Sequence, residues 1–232
     1  MTTDFQARAH AHVNELRATP DIVMTACEIG SGPPRELSAD DAALIASAWG
    51  DAAVEGVREY LLSTDHIHVA WHMDDYSLEG EFFLKDVRNC LSGRVVPYVD
   101  VSLSPEQQEL MNDGLMMLEE APGSGRLTAL RRHAPSQGLW FYDTNHRNLV
   151  PLEVDYRSYV DTLLVMKGTP GWQYLFTDVD LRHGKYHATV RQLEKTLEGF
   201  PDLFPDHDYS HLRERFQARC DRPIGGRARR AR

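Results

Sequence analysis

The chain reads as an α+β protein, and three features carry that reading. Period-two and helix-period apolar patterns are both present, mixed along the chain without the βαβ alternation of a parallel sheet. The segment HIHVAWH alternates Ile67, Val69 and Trp71 with His66, His68 and His72, as a half-buried strand does. Tyr156, Tyr159, Val160, Leu163 and Leu164 instead recur at helical spacing and make one apolar face. Gly168 and Pro170 follow where a C′ glycine and a later proline end a helix.

Taken in order, residues 4–17 are predicted helical, with Phe5, Val13 and Leu16 apolar. Gly30 to Pro34 is a loop. Ser38 before Asp40 and Asp41 is an N-cap with an acidic first turn, opening a helix to about Trp49. A second helix is expected over 51–63, with Val54, Val57 and Leu61 on one side. The HIHVAWH strand and SLEGEFFL, separated by Asp74 and Asp75, are expected to pair as a hairpin, with a third strand over 94–101. Ser104-Pro105-Glu106 starts another helix with proline at its first position. Its buried side is Leu110, Met111, Leu115 and Leu118, and Pro122 to Gly125 break it. Short strands at 126–132, 138–143 and 148–153 follow, with a turn from Asp143 to His146. After the helix at 155–167, GWQYLF loads Trp172, Tyr174 and Phe176 into six residues without an acid, a base or a metal ligand, which is scaffold material. Helices over 186–200 and 208–219 close the pattern. With no repeat and no dividing linker, residues 1–220 are expected to form one α+β domain. Residues 221–232 are expected to be a basic disordered tail.

Composition narrows the function classes. With 42% hydrophobic and 26% charged residues, the chain is an ordinary soluble globular type. No run approaches the roughly 20 apolar residues that span a bilayer, and the polar start has no secretory h-region. Cys27, Cys90 and Cys220 are far apart and form no CxxC pair, so a cytoplasmic location is expected. The formal net charge is −10; residues 213–232 carry eight arginines against Glu214 and Asp221, which leaves residues 1–212 at −16. A body that acidic repels nucleic acid and attracts basic proteins.

The order of several segments resembles the SMI1/KNR4 (SUKH) superfamily. VREYLLSTDHIHVAWH, with Val57, Arg58, Glu59, Tyr60 and Trp71, leads into LEGEFFL with Gly80 and Glu81. A late helix with Tyr159, Leu163 and Leu164 then runs through Gly168 into GWQYLF with Gly171 and Trp172. The match spans about 36–180, and the turn at Thr64-Asp65-His66 departs from it by having no glycine. The resemblance implies a SUKH-like mixed or antiparallel sheet packed with several helices, and structural roles for Trp71, Gly80, Gly171 and Trp172. It implies no enzymatic activity and no cofactor. It implies a protein-binding role, as an immunity protein against a secreted bacterial toxin, often a nuclease, or as a regulatory interaction module.

Candidate sites follow from residue type. The carboxylates Asp74, Asp75, Glu79 and Glu81 gather at the expected hairpin, and a basic toxin protein would meet them there. A charged hairpin edge that resists further strand pairing is the simpler explanation of the same residues. His66, His68 and His72 share one strand side near Asp74, the donor types zinc accepts. That is the basis of an alternative reading as a metal-dependent hydrolase. However, ligands at i and i+2 lie ~6–7 Å apart, far for one ion. His183/His187 and His207/His211 have i, i+4 spacing but lack the glutamate of HExxH. GxSxG, the P-loop and GxGxxG are absent, so no catalytic residue is assigned.

Overall fold

A computed structural model describes residues 5–75, 77–93, 100–131 and 138–220. Its seven strands make one antiparallel sheet in which every strand pairs with its neighbour in the chain: β1 (Ile22–Glu28), β2 (His66–Met73), β3 (Glu79–Lys85), β4 (Leu115–Ala121), β5 (Arg126–Arg131), β6 (Leu139–Asp143) and β7 (Asn148–Pro151). The helices are α1 (Phe5–Ala18), α2 (Ala39–Trp49), α3 (Asp51–Arg58), α4 (Val87–Ser92), α5 (Pro105–Glu109), α6 (Tyr156–Val165), α7 (His187–Leu203) and α8 (Ser210–Cys220). The expected α+β class is therefore what the chain adopts, with an antiparallel sheet.

The pleat decides the layering. Ile67, Val69 and Trp71 of β2 and Phe82 and Leu84 of β3 turn to one face and are buried. On that face Ala9, Val13 and Leu16 of α1 and Leu164 of α6 surround Ile67, Val69 and Phe82. Trp71 packs against Phe200 of α7 with ring centroids 6.2 Å apart and planes tilted by 41°. One continuous core runs from Phe5 to Leu212. The opposite face is treated differently in its two halves. Over β4–β7, Leu103 and Met111 cover Leu115, Leu127, Ala129, Tyr142 and Leu149 in a second core. Over β2 and β3 the outward residues His66, His68 and His72 are half-buried and Glu79 is exposed.

Local signals set most of the boundaries. Ser38 caps α2 with a capping box closed by Asp41, and Ser104 caps α5 in the same way through Gln107. Trp172–Phe176 form a 3₁₀ turn whose five residues are all buried.

Four expectations change. The helix expected beyond Ser104 stops at Glu109; Leu110–Gly114 form a π turn, and Leu115–Ala121 are strand β4. Leu115 faces the second core while Met116 and Leu118 face the first, so the apolar run is buried on both sides and its period hides the strand. β1 was not anticipated at all: it is an edge strand with Val23 39% exposed and a register shift at Met24/Ala26, which blurs its alternation. Helix α3 ends at Arg58, not Ser63. Of the strand expected over 94–101, residues 94–99 lie outside the described residues, and Asp100 and Val101 form no strand. The basic tail 221–232 also lies outside the described residues.

One buried carboxyl lies between α6 and the sheet. Tyr159 Oη is 2.9 Å from Glu119 Oε2 and 2.7 Å from Thr128 Oγ1, and burial pushes the Glu119 carboxyl up to about 8. The folded chain therefore keeps a proton that the unfolded chain releases near pH 4.5. This contribution to stability is complete at low pH and is lost as pH rises toward 8. Glu119→Gln is expected to flatten the fall in unfolding free energy between pH 5 and 8 by up to about 1.4 kcal/mol per pH unit. Urea titrations across that range check it, and a slope equal to the native one would refute it.

Candidate functional site

β2 and β3 pair through seven register positions, whereas β3 and β4 share only Phe83↔Glu120 and Leu84↔Glu119. The start of β3 thus splays away from β4. The chain fills the base of this split with the segment after α6, residues 167–170, which acts as a strap. Glu81 N–H donates to the Gly168 carbonyl at 3.0 Å in place of a β4 partner. Trp71 Nε1–H donates to the Lys167 carbonyl at 2.8 Å.

Sequence reading places Gly168 at the C′ position of α6; the structure places Lys167 there. Lys167 has φ +51, its N–H bonds Leu164, and the Gly168 N–H bonds Leu163, the two bonds of a Schellman motif with lysine in the left-handed position. Gly168 is needed for a different reason. A Cβ there would lie 2.8 Å from the Glu81 backbone and the Phe82 ring. At Gly80 a Cβ would lie 2.2 Å from the Lys167 carbonyl and 2.5 Å from Trp71 Nε1. Trp71, Gly80 and Gly168 therefore meet at one close contact. Gly171 (φ +84) and Trp172 lie at the start of the following 3₁₀ turn.

Above the strap the split opens into a cleft of about 490 Å³. Thr25, Ala70, His72, Glu79 and Glu81 line one side, Gly123, Ser124, Arg126 and Asn145 the other, with Trp71, Gly80 and Pro170 at the base. The second wall is fixed from beneath. Asp143, fully buried, accepts from Arg126 Nε at 2.9 Å, Tyr174 Oη at 3.1 Å and the Asn145 N–H at 2.9 Å. The guanidinium is thus matched by a carboxylate behind it. Glu81 bridges the split, since its Oε2 accepts from Gly123 N–H at 2.7 Å and its Oε1 lies 3.5 Å from His68 Nε2. Ser124 Oγ donates to the Ala121 carbonyl at 3.1 Å.

The four expected partner-binding carboxylates separate into two groups. Glu79 and Glu81 reach the cleft, and only Glu79 points an exposed carboxylate there. Asp74 and Asp75 lie at the exposed hairpin end, outside the cleft lining. Asp75 Oδ1 accepts from Ser77 N–H at 2.9 Å, and the Ser77 hydroxyl first, then that backbone bond, hold its carboxyl below the ordinary range.

The histidine strand does not assemble a centre. His66 stacks on Phe83 at 4.1 Å and lies 3.3 Å from Glu28, His68 turns to Glu81, and His72 Nδ1 lies 2.8 Å from the Met73 carbonyl. The other two pairs do not lie on one helical turn: His183 precedes a 3₁₀ turn and His187 opens α7, while His207 precedes α8. Among the described residues the donor atoms that do converge, within 4.8 Å of one another, belong to His12, Glu15 and His207. Lys167 Nζ stands among them, 2.7 Å from Glu15 Oε2 and 3.1 Å from His12 Nδ1, so an ammonium fills the place of a cation. The group is an ion cluster built around lysine. Nothing in the spacing of residues 12, 15, 167 and 207 announces it. Burial raises the Cys90 thiol to about 12, which makes it inert.

No family model matches the chain, and neither do curated proteins or solved structures. No helix among the described residues is long and apolar enough to cross a membrane.

Gly80→Ala forces its methyl into the Lys167 carbonyl and the Trp71 indole, and is expected to cost ~3 kcal/mol of stability through overpacking and a lost hydrogen bond. Gly56→Ala is the control: it lies in α3 with nothing within 4 Å of a new Cβ and is expected to be neutral or stabilising by about 0.5–1 kcal/mol. Urea midpoints of the two variants check the contrast. Equal midpoints would mean that the strap contact does not govern the split.

Proposed function

We propose that the chain is a non-catalytic protein-binding module whose acidic half-sheet, left open over β2 and β3 by the described residues, receives a basic protein, and that its role is immunity, neutralising a bacterial toxin of nuclease type in the cytoplasm. The observation that carries this reading is the unequal covering of one sheet face. Over β4–β7 the chain supplies Leu103 and Met111 as a lid, whereas over β2 and β3 the described residues leave a cleft edged by Glu79 and Glu81.

Charge adds to it. Residues 1–212 carry −16, a field that draws a cationic partner in and repels nucleic acid. A nuclease surface is basic where it holds its own substrate, so a carboxylate-bearing cleft competes for those same cations. The SUKH-like segments favour the immunity role over other protein-binding roles, and they rest on the residue pattern alone. A regulatory interaction module would use the same face with a partner other than a toxin. The alternative reading as a metal-dependent hydrolase draws less support from the geometry, because His66, His68 and His72 turn to separate partners.

Affinity purification of the tagged chain from its host, at low and high salt, tests the reading. The expected result is one basic protein, retained at low salt and lost at high salt. Glu79→Lys is expected to slow its association by about tenfold with little change in fold stability, since Glu79 is exposed. Recovery of the chain alone, or as its own oligomer, overturns the proposal.

A further inference from the structure

The ion cluster at Lys167 has a consequence for the cleft, and this inference rests on the cleft being the binding site. Lys167 Nζ is enclosed, with its side chain 0% exposed, 4.2 Å from the Phe204 ring centroid. Glu15 Oε2 accepts from it and lies 2.8 Å from His207 Nε2 as well. The rings of His12 and His207 stack at 4.7 Å with 10° between their planes. The cluster joins α1, the end of α6 and the segment between α7 and α8. Its central residue is also the first residue of the strap, whose carbonyls hold Trp71 and Glu81.

Burial lowers the Lys167 ammonium's pKa and Glu15 opposes that shift. With Lys167 charged beside Glu15, the ammonium has no lone pair, so His12 Nδ1 accepts from it and the ring is neutral. Protonating His12 would set an N–H against an ammonium, with a second imidazole stacked alongside and one carboxylate to balance them. Arg8, on α1 as well and paired with Asp161, adds a further positive charge nearby. Asp202 and Asp206 line the neighbouring cavity beside Glu15 and His207, and Tyr209 lies 6.3 Å from the His207 ring.

We propose that His12, Glu15, Lys167 and His207 form an acid-sensitive latch on the cleft. Protonation of His12 expels the Lys167 ammonium, and the strap then releases Trp71 and Glu81 at the cleft base. Lys167 is a positioning residue here and touches no ligand.

The direction follows from linkage. Burial first, then Lys167, hold His12 down to about 3 in the closed state, while a released ring returns toward 6.5. The closed state is therefore favoured fully above pH 6.5. Below it, the ratio of open to closed rises by up to about tenfold per pH unit until His12 itself titrates near 3.

Amide hydrogen exchange of Glu81, followed together with the Trp71 indole N–H signal from pH 7.5 to 4.5, tests the latch without any partner. Corrected for intrinsic exchange, Glu81 protection is expected to fall by up to about tenfold per pH unit below 6.5, while the amides of central β5 keep theirs. His12→Gln is expected to remove the pH response. Lys167→Gly, which keeps the left-handed backbone but has no ammonium, is expected to remove it as well. Three results overturn the proposal: a Glu81 protection independent of pH, a His12→Gln variant that tracks the native chain, or β5 amides that lose protection in step with Glu81. The binding reading fails separately, if Glu79→Lys leaves partner affinity unchanged while the latch still responds.

Discussion

The contact between the strap and the start of β3 is the constraint on which the rest of the site depends. A sheet whose third and fourth strands share only two register pairs would leave backbone donors at Glu79 to Glu81 facing a void. The chain answers with two carbonyls, from Lys167 and Gly168, that take the Trp71 indole and the Glu81 amide. Everything at that contact is close: the glycines at 80 and 168 leave no room for a Cβ, and the indole is buried to 2%. While the strap is held, it occupies the base of the split and keeps β3 off β4, and Glu81 reaches across to the Gly123 amide. The held strap therefore sets the width of the cleft, and its walls belong to the scaffold.

The same economy governs charge. The chain is strongly acidic, yet most of its carboxylates near the core have assigned partners. Asp86 is buried with Arg88 and Asp143 lies buried against Arg126, while the half-buried Glu15 pairs with the enclosed Lys167. The arginine-rich end is less separate than its sequence implies, since Arg213 donates to the Leu197 carbonyl and Arg219, 5% exposed, bonds Glu153 at 2.5 Å and lies 3.5 Å from Asp178. Both bonds fasten α8 to the body, and Arg219 is buried in doing so, whereas Arg213 stays exposed. Removing one partner of a buried pair such as Asp86–Arg88 costs more than the pair contributes, because the remaining charge has lost its water.

Much of this was legible from residue order, and the exceptions have physical reasons. The hairpin of β2 and β3, the capped start of α2, the three short strands after residue 126 and the buried GWQYLF turn were all readable, because each buries one face and its period is clean. β4 was read as helix because both of its faces are covered, so Leu115, Met116 and Leu118 show no alternation. β1 was missed because an edge strand has little apolar demand. At the site, the sequence puts Glu79 and Glu81 with Asp74 and Asp75 as partner-binding carboxylates, and Trp71 and Gly80 with Gly171 and Trp172 as structural residues; the fold brings Glu79, Glu81, Trp71 and Gly80 to one cleft and leaves Asp74 and Asp75 outside its lining. Arg126, Asn145 and Lys167 were not picked out, since they arrive from β5, the β6–β7 turn and the end of α6, and only the fold brings them near. Glu81 differs from Glu79 for the same reason: its carboxylate accepts from the Gly123 amide, a residue that only the fold brings near.

Lysine at a left-handed helix end is the least expected choice in the chain. A glycine there would adopt φ +51 freely, whereas a side-chain-bearing residue carries a cost of about 1 kcal/mol, and burying its ammonium adds to it. Such strain persists only where the surroundings over-determine it. Here Glu15, His12 and the Phe204 ring do so, from two elements remote in sequence. Were the strap's only task to plug the split, its two backbone carbonyls would suffice and glycine would serve better. The lysine makes the strap answerable to α1 and to the segment before α8, so the width of the cleft depends on contacts made on the far side of the sheet. That dependence gives the base of the cleft its leverage, because a small loss of charge balance around Glu15 acts directly on the carbonyl that holds Trp71.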